Sequence, residues 1–178
     1  MAQEYRIRQA TQADSPQVVE CIRTVYDEYG FTWEADGYHA DLYDLERHYA
    51  APDKFWVAES DGLVMGTTAL EVFDEITGQP GGLTWIDGLP RAVGTTCGLM
   101  RLYVRKEGRG NGLGRRLYET VIAEARAQGH TWMEIWSDLR FTAAHGLYTA
   151  SGAELLGERK LITDPDQSIE AGFRLRLK

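Results

Sequence analysis

Residues 101–116 read RLYVRKEGRGNGLGRR, and the fold turns on this stretch. The run 99–104 reads as a buried strand. Beyond it, Leu113, Leu117, Val121 and Ala125 recur at helical spacing and give the next helix an apolar stripe. Between strand and helix, Gly110, Gly112 and Gly114 free the backbone to turn sharply and let a ligand approach it closely. The first N–H groups of a helix have no partner inside it, and the helix dipole favours negative charge at that end. Successive free N–H groups in such a turn also make an anion nest. Arg101, Arg105, Lys106, Arg109, Arg115 and Arg116 are opposed only by Glu107, a net +5 over these residues in a chain of formal charge −8. Glycine loop, helix start and basic cluster coincide, and together they predict a bound phosphate or pyrophosphate.

Working outward, residues 5–8 read as a first strand, with Tyr5 and Ile7 on one face. Ser15 is expected to cap a helix with Pro16 in its first turn, which carries Val18, Ile22, Val25 and Tyr29 and ends at Gly30. A second helix is expected to carry Tyr38, Leu42, Leu45 and Tyr49 on one face and to stop at Pro52. Strands 55–59 and 63–72 meet at Asp61-Gly62, a strong hairpin signal. Residues 74–96 read as a long Gly/Pro/Thr-rich loop, with a short strand around 83–86. After the glycine loop and its helix, which ends at Gly129, come strand 131–136, helix 142–151 and strands 154–160 and 169–177. The order βααβββαβαββ belongs to a mixed α/β or α+β sheet.

Length and composition bound the function. The chain has 178 residues, 43% hydrophobic and 26% charged, which suits one globular domain over 1–178. Its acidity argues against general nucleic-acid binding. No apolar run is long enough to span a membrane, the N-terminus does not read as a signal peptide, and a cytoplasmic protein is expected. Cys21 and Cys97 read as buried thiols, and His39, His48, His130 and His145 are too scattered for a metal site, so no metal is expected.

Three phosphate motifs compete for the glycine loop. A P-loop needs G-x-x-x-x-G-K-S/T, and no Lys-Ser or Lys-Thr follows here. A dinucleotide fingerprint needs G-x-G-x-x-G, whereas these glycines are spaced G-x-G-x-G, and too few strand–helix units follow to build that fold. Arg109-Gly110-Asn111-Gly112-Leu113-Gly114 instead resembles the Q/R-x-x-G-x-G/A acetyl-CoA motif of the GNAT superfamily of N-acetyltransferases. The preceding Arg101-Leu102-Tyr103-Val104 is similar to that family's fourth strand. The later AAHGLYTASGAELLGE resembles its A-x-x-x-Y-x-x-x-G-F segment, and the element order resembles the family over about 5–177.

The resemblance implies a mixed α/β (α+β) fold with a central sheet of about seven strands, the fourth and fifth splayed, flanked by about four helices. It implies acetyl-CoA as co-substrate, with the pantetheine arm lying between the splayed strands like an added strand. Main-chain groups of Leu102, Tyr103 and Val104 would hold the pantetheine amides. The N–H groups of Arg109, Gly110, Asn111, Gly112, Leu113, Gly114 and Arg115 would hold the pyrophosphate. Tyr148 matches the tyrosine near the cofactor sulfur; with a pKa of about 10 its phenol keeps its proton at neutral pH and is there to hydrogen-bond and protonate the leaving thiolate. Gly98 stands where many relatives carry a Glu, Phe141 where an Asn is frequent, and Gly152-Ala153 replaces G-F. The base is therefore open: Glu71, Asp74, Glu75 and His145 are weak candidates, and a water chain is another route. The acceptor is expected to be a small-molecule or peptide amine, near Tyr29, Phe31, Trp33, Tyr38, Tyr43 and the 74–96 loop with Trp85. Homodimers are common in the family. Two alternatives to an acetyltransferase remain, a non-catalytic acyl-CoA-binding sensor and a nucleotide-binding domain.

Overall fold

The computed structural model describes residues 4–178. Among these residues, nine strands and four α-helices follow one another as β1 (Arg6–Gln9), α1 (Ser15–Tyr29), α2 (Leu45–His48), β2 (Lys54–Ser60), β3 (Leu63–Val72), β4 (Leu83–Ile86), β5 (Leu89–Ala92), β6 (Cys97–Val104), α3 (Leu113–Ala127), β7 (Trp132–Asp138), α4 (Thr142–Ala150), β8 (Glu154–Lys160) and β9 (Ile169–Arg176). Seven strands join in the order β1-β2-β3-β6-β7-β9-β8, and β4 pairs with β5 alone. β6 and β7 run parallel, whereas β1–β2, β2–β3, β7–β9 and β8–β9 are antiparallel, so the sheet is mixed as expected. The ladder between β6 and β7, the fourth and fifth strands of the sheet in chain order, covers only Cys97, Gly98 and Leu99.

The chain divides into two compact units. The first comprises the chain up to Glu71 together with Met100–Val121. Its strands have apolar residues on both faces, and each face has its own helix. Val18, Cys21, Ile22 and Tyr26 of α1 pack with Phe55, Val57 and Val64, and with Leu42 and Leu45. On the other face Leu113 and Leu117 of α3 pack with Tyr5, Ala58 and Met65. Gly66 permits this closeness: a Cβ there would lie 2.8 Å from Leu117 Cδ1 and 3.0 Å from the Tyr103 carbonyl.

The second unit comprises Val72–Leu99 and Ile122–Lys178. Met133 and Ile135 of β7 stand opposite Leu175 and Phe173 of β9, and all four are buried. The Trp136 ring lies flat on Gly172, where a Cβ would come within 2.4 Å of it. Arg159 stacks on the same ring at 4.2 Å.

Three sequence expectations change. The second helix is a 3-10 turn, Ala40–Tyr43, followed by the single turn α2, because Asp44 adopts φ −140° between them. Its apolar anchors are real, since Leu42 and Leu45 are both buried. Ser15 lies inside α1 and its hydroxyl donates to Leu42 O, while Thr11 and Asp14 form the capping box one turn earlier. Part of the 74–96 loop is the β4–β5 hairpin, turning at Asp87 (φ 50°) and Gly88 (φ 79°), the geometry of a two-residue primed turn. Cys21 and Cys97 are buried free thiols as expected, and burial pushes both up to about 12.

Candidate active site

Strand β6 changes character partway. Arg101 has φ 54°, an uncommon left-handed conformation for a residue with a side chain, and it kinks the strand. The kink is held to β3 by Thr67 Oγ1 donating to Arg101 O (2.7 Å) and by Arg105 N–H donating to Met65 O (2.9 Å). Leu102 and Val104 turn their side chains onto the α3 face, so this stretch is a fixed rail.

The chain then makes a 3-10 turn, Lys106–Gly108, and enters the glycine loop. Arg109 N–H bonds back to Lys106 O (3.2 Å), and the next backbone bond donated is from Arg116 to Gly112 O (3.1 Å). The N–H groups of residues 110–115 have no backbone acceptor among the described residues. Gly110 and Gly112 adopt φ 80° and 77°, and a Cβ at either would meet nothing within 4 Å. The loop is therefore left-handed at alternate residues, open on its outer side and lined with unspent donors at the start of a fifteen-residue helix. That is the construction of an anion nest on a helix N-terminus.

The basic cluster behaves differently from the sequence expectation. Arg101 is buried and binds Asp41 through Nε (3.1 Å) and Nη2 (2.7 Å). Arg105, also buried, donates to Val64 O and approaches Glu20 at 3.5 Å. Arg109 grips both oxygens of Glu28 (2.7 and 2.9 Å), holding that carboxyl below its ordinary range, and its Nε donates to Val104 O. Arg116 donates to Tyr5 O. Lys106 and Arg115 are exposed and have no ion-pair partner among the described residues. Most of the cluster therefore builds the loop rather than facing a ligand. Arg109 in particular has spent its main-chain N–H and its guanidinium, and ties the strand end to α1.

In the second unit Tyr148 is buried on α4, with its ring edge-on to Phe173 at 5.5 Å and tilted against His145 at 6.3 Å. His145 Nε2 is buried with no hydrogen-bond partner among the described residues. Gly98 pairs with Glu134 across the β6–β7 ladder, and Glu134 Cγ lies 3.9 Å from where a Gly98 Cβ would be. A carboxylate thus stands beside the site of the missing Glu. It is fully engaged, however, accepting from Arg91 Nε (2.5 Å), Ala92 N–H (2.8 Å) and Trp136 Nε1 (3.1 Å). Glu71, Asp74 and Glu75 are exposed.

The aromatics expected near the acceptor fall in both units. Phe31, Trp33 and Tyr38 join a cluster centred on Tyr26 and His39, neither of which the sequence had singled out for this role. Tyr29 stacks on Phe31 at its edge, and Tyr43 is exposed and accepts from Trp33 Nε1. Trp85 belongs to the β4–β5 hairpin of the other unit and is 72% exposed. The apolar stripe of α1 could have identified Tyr26, which falls one turn after Ile22.

Residues 19–153 match the profile of the Acetyltransferase (GNAT) family. N-acetyltransferase 8 of Rattus norvegicus is 32% identical over 123 residues, 67% of this chain and 49% of the relative. N-acetylaspartate synthetase of the same organism is 26% identical over 139 residues, 77% of this chain and 40% of the relative. The chain thus spans about half the length or less of these curated relatives. Among solved structures, a GNAT-family acetyltransferase from Staphylococcus aureus Mu50 superposes with a TM-score of 0.75 at 18% identity, covering 98% of this chain and all of its own. The protein yncA of Salmonella typhimurium, solved with its cofactor acetyl-CoA, superposes at 0.68 and 19% identity, covering 98% of this chain and 95% of its own. No helix among the described residues is long and apolar enough to cross a membrane. With the strand, the glycine nest and the helix that follows all in the matched segment, the chain belongs to the GNAT acetyltransferase family, whose members are acetyl-CoA-dependent acyltransferases.

Proposed function

We propose that this protein transfers an acetyl group from acetyl-CoA to a primary amine by direct attack. The observation that carries the reading is the open nest of N–H donors at residues 110–115, left unspent at the start of α3. Those donors, with Arg115 and Lys106 beside them, hold the pyrophosphate. The main chain of Leu102, Tyr103 and Val104 takes the pantetheine amides. The amine nitrogen attacks the thioester carbonyl carbon, the C–S bond breaks, and Tyr148 gives its phenolic proton to the leaving thiolate. The attacking nitrogen loses its proton to solvent through water, since the Glu134 carboxylate is already occupied by three donors.

That same engagement of Glu134, with glycine at position 98, favours one second reading, an acyl-CoA-binding sensor without turnover. Thermal unfolding with acetyl-CoA, CoA, NAD and ATP tests the cofactor assignment. At a hundredfold excess over Kd a ligand of the native state adds about 2.7 kcal/mol, a rise of several degrees. A rise with the CoA compounds alone supports the family's cofactor here, and a rise with NAD or ATP alone refutes it. Thiol release with an amine panel then separates the enzyme from the sensor.

A further inference from the structure

Resting on that reading, the cluster that includes His39 and Arg101 identifies a feature of the acceptor. Both residues lie in the first unit. His39 is fully buried, its ring stacked on Trp33 at 3.8 Å and edge-on to Tyr26 and Tyr38. Its Nδ1 accepts the Glu34 N–H (3.1 Å), which places the ring proton on Nε2. That Nε2–H is buried and has no acceptor among the described residues. Arg101 presents the same anomaly. Its Nε and Nη2 are taken by Asp41 and by Tyr38 O (2.5 Å), and its guanidinium lies 4.3 Å from the centre of the Tyr38 ring. Its Nη1 is buried and unpartnered.

Buried donors are nearly always satisfied, and one left empty is costly. Both side chains lie against the Tyr38 ring, and each has one donor without an acceptor among the described residues. The charge balance narrows the nature of an acceptor for them. Asp41 offsets Arg101 and also accepts from Tyr49 Oη, and His39 is neutral, so the cluster holds no spare positive charge. A neutral carbonyl oxygen suits this set better than a second carboxylate would. Tyr38, 46% exposed, lies over the guanidinium, and its side chain would have to move aside for a ligand to reach Nη1.

We propose that His39 Nε2–H and Arg101 Nη1–H form a subsite for the carbonyl oxygen next to the acceptor amine, so that the acceptor is an α-aminoacyl compound. The test compares three forms of each of alanine, leucine and phenylalanine: the carboxamide, the free acid and the decarboxylated amine. Each is assayed by CoA thiol release and, with the protein saturated in CoA, by calorimetric binding. With each rate and affinity corrected to the fraction of neutral amine present, the subsite predicts at least tenfold higher kcat/KM or affinity for the carboxamide than for the amine, with the free acid between them. A free acid that outranks the carboxamide keeps the donors but overturns the neutral-carbonyl assignment. Equal ranking of amide and amine, or no binding of any carbonyl-bearing form at millimolar concentration, overturns the subsite whether or not other amines are turned over. Failure of acetyl-CoA itself to bind is a failure of the functional reading instead. His39→Phe keeps a ring on Trp33 and removes the donor. It should collapse the amide-to-amine ratio, whereas a purely structural role would lower both together and keep the ratio. Arg101→Lys, with Tm recorded, repeats the measurement independently should the first variant fold poorly.

Discussion

Replacing Gly112 by Asp tests the pyrophosphate assignment most directly, because the structure separates the effects of space, strain and charge at that residue. A Cβ at Gly112 meets nothing within 4 Å, so no clash is introduced. The residue adopts φ 77°, which costs an ordinary side chain about 1–2 kcal/mol and Asp somewhat less. For a chain of this size that lowers Tm by roughly 2–6 °C and leaves the protein folded. The carboxylate would then sit beside the N–H groups proposed above to receive a pyrophosphate. A charge about 6 Å from two phosphate charges, at an effective dielectric of about 40, costs about 3 kcal/mol, or roughly a hundredfold in Kd. Gly112→Ala carries the strain without the charge and should weaken CoA by about tenfold or less. Calorimetric titration of CoA into both variants, at low and at physiological salt, measures the difference. The gap between Asp and Ala should narrow as salt rises, because the repulsion is screened. A folded Gly112→Asp variant that binds CoA within threefold of the parent would show that the pyrophosphate lies elsewhere.

Three further outcomes are expected. Tyr148→Phe should lower kcat about a hundredfold while leaving the Kd for CoA within twofold, and an unchanged kcat would remove Tyr148 as the acid. Gly172→Ala puts a methyl within 2.4 Å of the Trp136 ring, which Arg159 covers and Glu134 fixes, so unfolding in urea should show a loss of about 2 kcal/mol. Burial, with Arg101 nearby, pushes His39 down from 6.5 to about 4 in the folded chain. The unfolded chain therefore takes up the proton first as pH falls. This contribution is fully present above about pH 6.5 and drains away toward pH 4, about 3 kcal/mol in all, and a His39→Phe variant should lose that part of the pH dependence.

Much of the fold was legible because periodicity survives packing. The α1 stripe of Val18, Ile22 and Val25, and the alternation of Phe173, Leu175 and Leu177, sit in the core as their spacing required. The β4–β5 hairpin was only half legible. Its turn, Asp87-Gly88, carries the same signal that correctly placed the Asp61-Gly62 turn, but β5 contains Pro90 and Arg91 and both strands are four residues long. A short hairpin with an exposed Trp85 shows no apolar alternation to detect. The second helix failed for the opposite reason. Leu42 and Leu45 bury correctly from two separate turns, so helical spacing persisted where a continuous helix did not.

The candidate site divides along the line between main chain and side chain. Glycine spacing foretold the backbone nest, because left-handed φ at Gly110 and Gly112 is a local property of those residues. The basic cluster could not be read in that way. Arg101 and Arg109 find Asp41 and Glu28 from 60 and 81 residues away, and nothing local marks a carboxylate that distant as a partner. Nor does an arginine announce a left-handed φ, yet that conformation belongs to the residue whose guanidinium lies beneath Tyr38. The consequence bears on how the site can be probed. If most of the positive charge is spent within the fold, the phosphate donors are chiefly N–H groups that no side-chain truncation removes. For the pyrophosphate, arginine-to-alanine changes at Arg101 or Arg109 would therefore report on loop integrity, and only the glycines and the exposed Lys106 and Arg115 would report on that ligand.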